Sequence, residues 1–521
     1  MRQDPKEIEL KLALTPADFG ALKAHRTFAE LLNSPARVER LVSIYFDTEQ
    51  RDLHKNNLTL RVRREGQDFI QTIKTAPAPG VSFEREQWEQ PLADAQPDLT
   101  AITHTPLGNV FTAHVRTNLR PVFETRVELT YYDLADSTWR IEIAFDQGEI
   151  VAGNRAVPIC EIELELKYGY RAALFELARM IVEIIPARLM MQAKADRGYE
   201  LLEDKPESAV HAAPVELTQG MSSAQAFQRI ASGCLGQLLA NAPLMHARNP
   251  DALHQVRIAV RRLRTAISLF SEIVRDGQVE HIKSELRWLN GELSPARDLD
   301  TLMVEVIKPL YEQHPDHKGL RSLRYSLARQ MVRNYRRAAA AIRSQRYCRL
   351  MVDAFAWIEI GEWITATDAH ARSRRDGPVE LYAAEQLARR SRKIKKKGRK
   401  LEKLDPGRRH KLRIQVKKTR YATEFFAGLF RERKARKRSS QLLGALKHMQ
   451  SSLGGLNDVR TRSALCADLL AHGNGAARGD GRDRAFAAGL IAGNQEARHD
   501  TLLADAQKAH EHLAGIKPFW K

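Results

Sequence analysis

At 521 residues the chain is too long for one ordinary core, so at least two domains are expected. Apolar residues make up 43%, charged residues 28%, and the mean hydropathy of −0.43, with no run of about 18 apolar residues, excludes a helical membrane protein. The formal net charge of +19 is unevenly placed: residues 1–205 hold 26 Lys and Arg against 32 Asp and Glu, and the remainder holds 57 against 32. A strongly basic half implies a polyanionic partner, whether nucleic acid, acidic membrane or polyphosphate. The charged, alternating start of the chain lacks an apolar stretch of signal-peptide length. Cys160, Cys234, Cys348 and Cys466 lie far apart, without zinc or disulfide spacing, and a cytoplasmic location is expected.

Taken in chain order, the first 200 residues read mostly as strands. Period-two alternation marks Glu7–Lys11, Val38–Phe46, Leu58–Arg64, Phe69–Lys74, Val122–Leu129, Trp139–Phe145 and Ile159–Leu166. A helix is predicted to start at Thr15-Pro16 and to carry Phe19, Leu22, Phe28 and Leu31; another runs from about Ala172 to Ile185. Many strands with few helices predict a closed or nearly closed sheet. The first domain is expected over 1–205, a linker over 206–214, and an all-helical domain over 215–515, where period 3.6 takes over in segments such as Ala252–Val274 and Arg408–Phe430. Helix breaks are expected near Arg374–Pro378, at Asp405-Pro406-Gly407 and in the Gly-rich stretch His472–Gly481.

The helical half repeats itself. His254, Arg257, Arg261, Arg262 and Arg264 recur as His410, Arg413, Lys417, Lys418 and Arg420, and Leu293–Asp298 is echoed by Leu453–Asp458. The offsets, 156 residues between the histidines and 160 between the aspartates, nearly agree, so a bundle with an internal two-fold repeat is expected.

Charges in the strand half share faces. Glu7, Glu9 and Lys11 alternate with Ile8, Leu10 and Leu12; Arg61 pairs with Arg63, Glu124 with Arg126 and Glu128, Glu142 with Asp146, and Glu161 with Glu163 and Glu165, while Lys74 ends its strand. A solvated outer face is the ordinary reading of one such strand. With many strands carrying both signs, the alternative is a charged interior: carboxylates suit hard divalent cations, and Arg and Lys suit phosphate oxygens.

Lys6–Lys11 (KEIELK) resembles the ExExK signature of the CYTH, or triphosphate tunnel metalloenzyme, superfamily. Leu60–Arg63, Lys74, Arg126, Ile141–Ile150, Cys160–Leu166 and Lys194–Tyr199 (KADRGY) follow in the family's order over about residues 1–205. The basic half resembles the CHAD domain, and the pairing is similar to bacterial inorganic triphosphatases. The resemblance implies an eight-stranded antiparallel tunnel that hydrolyses triphosphates with Mg²⁺ or Mn²⁺. It further implies metal binding by Glu7, Glu9, Asp146, Glu161 and Glu163, with Glu86 preferred over Glu84 for a mid-chain carboxylate and Glu165 left open as a member of the acidic set. Lys11, Arg61, Arg63, Lys74, Arg126 and Lys194 would grip phosphates, and Glu7, Glu9 and Lys11 would form the catalytic strand.

His254, Arg257, Arg261 and Arg264 span roughly 80° of one helix face, as do His410, Arg413, Lys417 and Arg420. Two matching basic stripes with few aromatics point to inorganic polyphosphate and away from single-stranded nucleic acid, where base stacking on aromatics matters. The run Arg389–Lys403 is read as an outlying part of that surface. Two other functions fit the same residues: a polyphosphate-binding scaffold with an inactive or regulatory tunnel, and an adenylate cyclase of the same superfamily.

Overall fold

The computed structural model describes residues 2–3, 7–32, 34–76, 84–100, 102, 105–203, 208–471, 481–497 and 499–521; within these, the side chains of 2–3, 7, 246–247, 457–482, 484–485, 488 and 494–496 are not described. Packing divides the chain into two compact units. One comprises Met1–Val210, Leu235–Leu244 and Ile342–Gly361; the other comprises His211–Cys234, Met245–Ala341 and Glu362–Lys521.

The first unit is built on eleven strands: β1 (Arg2–Gln3), β2 (Glu7–Ala13), β3 (Arg37–Asp47), β4 (Leu58–Glu65), β5 (Asp68–Thr75), β6 (Glu84–Arg85), β7 (Gln87–Leu92), β8 (Arg120–Ala135), β9 (Arg140–Ala152), β10 (Arg155–Tyr168) and β11 (Arg188–Met190). Every pairing is antiparallel, in the order β1-β7-β5-β4-β3-β8-β9-β10-β2-β11. The short strand β6, one residue ahead of β7, pairs with β2, so the two ends of the sheet meet and the barrel nearly closes. Strand β7 does not show in the alternation, because Pro91 and polar residues blur it.

Helices α1 (Pro16–Ala24), α2 (Arg26–Leu31), α3 (Asp52–Lys55), α4 (Ala113–Thr117), α5 (Arg171–Ile184) and α6 (Lys194–Glu203) accompany the sheet. Thr15 caps α1 through the Asp18 N–H, and Pro16 follows it, as the sequence predicts. The single helix expected from Phe19 to Leu31 breaks at His25 into two. The barrel is inverted relative to a soluble sandwich. Leu10 and Leu12 are fully buried on the outer face of β2, and α5, with Leu174, Phe175, Ile181 and Val182 buried, packs against β2 and β10. Phe46, Leu60, Ile73, Trp88 and Phe111 form a second external core. Because helices and loops cover the apolar outside, the inner face is left to the polar residues.

Beyond β11 the described chain is helical: α7 (Ser223–Asn241), α8 (Pro250–Leu269), α9 (Val279–Leu302), α10 (Lys308–Gln313), α11 (Lys318–Arg343), α12 (Gln345–Ile360), α13 (Ala369–Asp376), α14 (Val379–Gly398), α15 (Pro406–Phe426), α16 (Arg433–Ala471), α17 (Gly481–Ala497) and α18 (His499–Gly515). The breaks expected near Arg374–Pro378 and at Asp405-Pro406 fall between α13 and α14 and at the start of α15; of the Gly-rich stretch, residues 472–480 lie outside the described residues. The repeated helices open alike: Asn249 caps α8 ahead of Pro250, and Asp405 caps α15 ahead of Pro406. No described helix is long and apolar enough to cross a membrane.

Candidate active site

The barrel encloses a cavity of about 360 Å³, lined by residues of every strand from β2 to β10 and by α6. Register places its acidic wall. Asp146 on β9 lies opposite Glu161 on β10, and Glu163 and Glu165 lie opposite Lys11 and Glu9 on β2. Cross-strand partners share a face, so these side chains meet. One carboxylate oxygen each from Asp146, Glu161 and Glu163 lies within 4.8 Å of the others.

Two lysines enter this cluster. Lys194 Nζ stands 2.6 Å from Glu161 and 2.8 Å from Glu163 and pairs with Asp146. Lys11 pairs with Glu163 and lies 3.1 Å from Glu9, which is itself 3.6 Å from Arg85. Burial disfavours charge on both lysines, yet the carboxylates outweigh it and hold each ammonium above its ordinary range. Burial would likewise raise the Glu163 carboxyl, but Lys11 and Lys194 hold it well below the usual carboxylate range. At Asp146 burial prevails over Lys194 and the carboxyl is pushed up to about 6.

The KADRGY segment explains how Lys194 arrives. The Asp196 carboxylate accepts the Ala193 N–H at 2.8 Å and ties the start of α6. Arg197 donates to Glu161 at 3.0 Å. At Gly198 a Cβ would meet the Phe123 ring at 2.2 Å, so only glycine lets α6 lie this close to β8. Tyr199 donates to the buried Asp47 at 2.8 Å, and Asp47 also accepts the N–H groups of Thr48, Leu53 and His54.

Across the cavity, β4 supplies Arg61 and Arg63, and β5 supplies Lys74. Arg63 Nε is 3.4 Å from Ser43 Oγ, and burial together with Arg61 lowers its proton affinity. In the strand order β4 and β5 are separated from β9 and β10 by β3 and β8, so the cationic and acidic sets face each other around the barrel.

Of the residues singled out from sequence, Glu9, Lys11, Arg61, Arg63, Lys74, Asp146, Glu163 and Lys194 line this one cavity, and Glu161 is buried between Lys194 and Arg197. Glu7 opens β2 opposite Arg85, and its side chain lies outside the described residues. Two expectations are corrected. Arg126 is exposed on the outer face, paired with Glu124 and Glu149, because the partners of Leu41 and Ser43 on β8 are Val127 and Thr125, and these face inward. Glu86 is exposed between β6 and β7, on the same outward parity as Glu84; Arg85, Gln87 and Glu89 face the cavity instead. Arg85 and Glu89 are not among the residues the sequence singles out, although their alternation with Glu84, Glu86 and Trp88 is a period-two signal.

The donor set fits a divalent cation. Asp146 Oδ1 is buried and accepts no hydrogen bond from the described residues, and it belongs to a cluster of hard carboxylate oxygens.

In the second unit α8 packs against α15, which joins the two basic stripes. Lys417 is pushed down to about 7 by burial and by Arg261, Arg413, Arg420 and Arg257. His254 is pushed down to about 4 by burial and by Arg297, Arg261 and Arg257. Arg257 donates to Ser294 O at 3.1 Å and to Asp298 at 3.2 Å; Arg420 donates to Gln450 and Glu424. Arg264 departs from this cluster: Arg287 is the charge that acts on it, and it in turn acts with Arg390 and Lys393 on Lys418. His410 is exposed on the first turns of α15. Arg297 joins the α8 stripe through packing, whereas Lys418 of the repeat and Arg390 and Lys393 of the run Arg389–Lys403 gather with Arg264.

An inward-facing set of buried carboxylates opposite Arg and Lys side chains in one barrel defines the class: a charged tunnel whose acidic wall could hold a metal ion, here followed by a basic helical bundle. Residues 5–199 match the family model of the CYTH domain, and residues 229–467 match that of the CHAD domain. The chain belongs to the proteins that carry a CYTH domain followed by a CHAD domain. It is 32% identical over 203 residues to an inorganic triphosphatase of Haemophilus influenzae; the match takes in 38% of this chain and 55% of that protein, so the chain spans about half of that relative's length. It is 26% identical over 381 residues to an uncharacterised protein of Mycobacterium tuberculosis, covering 69% of this chain and 70% of that one. The crystal structure of the CHAD domain from the plant Ricinus communis superposes with a TM-score of 0.50 at 26% identity, over 60% of this chain and 98% of that one.

Proposed function

We propose that the tunnel hydrolyses inorganic triphosphate to diphosphate and phosphate, with Mg²⁺ or Mn²⁺ as the cation, and that the helical domain binds inorganic polyphosphate. The first activity is assigned to 1–205 and the second to 215–515. The observation that carries the reading is the single cavity in which Asp146 and Glu163 face Arg61, Arg63 and Lys74. The likeness to a triphosphatase supports it. Asp146, Glu161 and Glu163 would hold the cation, which supplies neutralisation of charge on the phosphoryl oxygens. Arg61 and Arg63 offer forked donors to the terminal phosphates, while Lys74 and Arg85 add charge along the chain of phosphates. Lys11 and Lys194 keep the carboxylates ionised and aimed inward. Free thiols at Cys160, Cys234 and Cys348 suit a reducing cytoplasm, where we place the chain.

Phosphate release from inorganic triphosphate, ATP, thiamine triphosphate and long-chain polyphosphate, with and without Mg²⁺, tests the reading. Inorganic triphosphate is expected to be cleaved fastest, and only with the cation. Cyclic nucleotide and diphosphate from ATP would establish the cyclase; no release from any of the four would leave the scaffold.

Polyphosphate binding should depend on pH through Lys417. Its folded pKa is depressed by burial and by the surrounding arginines, and a bound polyanion offsets both causes. Below about pH 7 the free protein already carries the charge; above it, binding must take up a proton, so affinity falls as pH rises from about 7 to about 8.5. Lys417→Arg, which stays charged, is expected to flatten that slope. Titrations at fixed salt check this, and equal slopes in the two proteins refute it.

A further inference from the structure

The strand that closes the barrel, β6, has only two residues. β6 meets β2 through two residue pairs, Glu7 with Arg85 and Ile8 with Glu84. Successive strand residues point to opposite faces. Arg85 therefore turns into the cavity, where it stands 3.6 Å from Glu9 and acts electrostatically on Lys11. Glu84 turns outward, where Arg171, at the first turn of α5, pairs with it. Two ladder pairs are a slender closure for a position that must hold a charge in register.

Arg171 has a second partner. Glu359, near the end of α12, lies 3.6 Å from its guanidinium, and the Glu359 side chain is only 6% exposed. A carboxylate so deeply buried needs its cation, because leaving it uncompensated is strongly unfavourable. α12 is fixed to α5 at other points as well. Arg179 lies 2.7 Å from Asp353, which also takes Arg349 at 2.9 Å, and Arg349 pairs with Glu183. The helix packs along α5 and against β11, and it belongs to the same compact unit as the barrel. Yet its sequence, 345–360, lies inside the stretch that matches the CHAD model.

We propose that Glu359 and Arg171 are positioning residues that clamp β6 from outside the barrel and thereby hold Arg85 in the tunnel for phosphate binding. The clamp rests on the triphosphatase reading for its functional consequence. Through it, a helix distant in sequence becomes part of the substrate site without touching substrate.

Full-length protein tests the clamp in two ways. In steady-state kinetics with inorganic triphosphate and saturating Mg²⁺, Glu359→Gln is expected to raise KM about fivefold with kcat within about twofold, the mark of lost binding rather than lost chemistry. In an Arg85→Gln background the same substitution should change KM by less than about 1.5-fold, since its effect passes through Arg85. Arg171→Lys, which keeps the charge but loses the fork, should give an intermediate KM and guards against a Glu359 variant that fails to fold. An equal KM ratio in the two backgrounds overturns the proposal. In hydrogen exchange, residues 84–92 should exchange faster in Glu359→Gln than in the wild type, while β9 stays unchanged. Unaltered exchange at 84–92 also overturns it. A wild-type chain inert toward triphosphate refutes the triphosphatase reading alone; the exchange result then decides the clamp by itself.

Discussion

Asp146→Asn is expected to lower the turnover of inorganic triphosphate by about 10²–10³-fold while leaving the fold intact, a loss of the size seen when one preorganised charge-stabilising group is removed. Asn keeps the shape of the side chain and can still accept a hydrogen bond from Lys194. What it loses is the charge on a carboxylate whose Oδ1 is buried and takes no hydrogen bond from the described residues. Three acids converge here with two lysines, so one charge fewer also loosens Lys194 from its place. Arg126→Gln is the matched control. It also deletes a charge on a central strand, but Arg126 points outward to Glu124 and Glu149. Its KM and kcat should stay within about twofold of wild type, as for most surface substitutions. Steady-state kinetics and thermal melts of the two variants decide the matter. Near-wild-type turnover in Asp146→Asn would remove this residue from the cation site, and a large loss in Arg126→Gln would return that arginine to the substrate.

The control marks where the sequence stops being legible. Alternation reveals that a strand has two faces, but not which one turns inward. In β2 and β10 the charged residues face the tunnel; in β8 the charged set Glu124, Arg126 and Glu128 faces out, and Thr125, Val127 and Leu129 face in. A barrel with a polar lumen removes the usual polar-out rule, and only register against β3 fixes the parity. The same ambiguity misplaces Glu86. Glu84 and Glu86 do share a face, as their spacing says, but it is the outer one. By contrast, five residues of KADRGY, Lys194, Asp196, Arg197, Gly198 and Tyr199, each meet a specific contact, so the segment that the family resemblance picks out is also tightly constrained in the fold. The packing of α12 on α5 has no such signal. Its side chains from Leu350 to Ile358 are buried without interruption, which says that the helix is central but not what surrounds it.

The largest effect in the helical unit is expected when Arg257, Arg261, Arg413 and Lys417 are all replaced by Gln. Polyphosphate affinity should fall by at least about 10²-fold at moderate salt. The slope of log affinity against log salt should shrink as well, because a phosphate that no cationic side chain neutralises keeps its condensed counterions. The matched variant removes four exposed charges from the neighbouring run, Arg392, Lys396, Lys397 and Arg399. It should lose far less, for a reason that lies in the packing. The first four are half-buried and crowd one another across α8 and α15; Lys417 is pushed down to about 7 by burial and by the arginines around it. Like charges held together in this way store unfavourable energy that a polyanion relieves, whereas well-separated surface lysines are already screened by water and salt. A polymer long enough to touch both helices also engages the second of them at high effective concentration, so the stripes are expected to act together. Calorimetric titrations of the two variants at matched salt separate the readings. Equal losses would mean that only net charge matters and that the paired helices form no site; tighter binding of duplex DNA than of polyphosphate by the wild type would assign the cluster to nucleic acid.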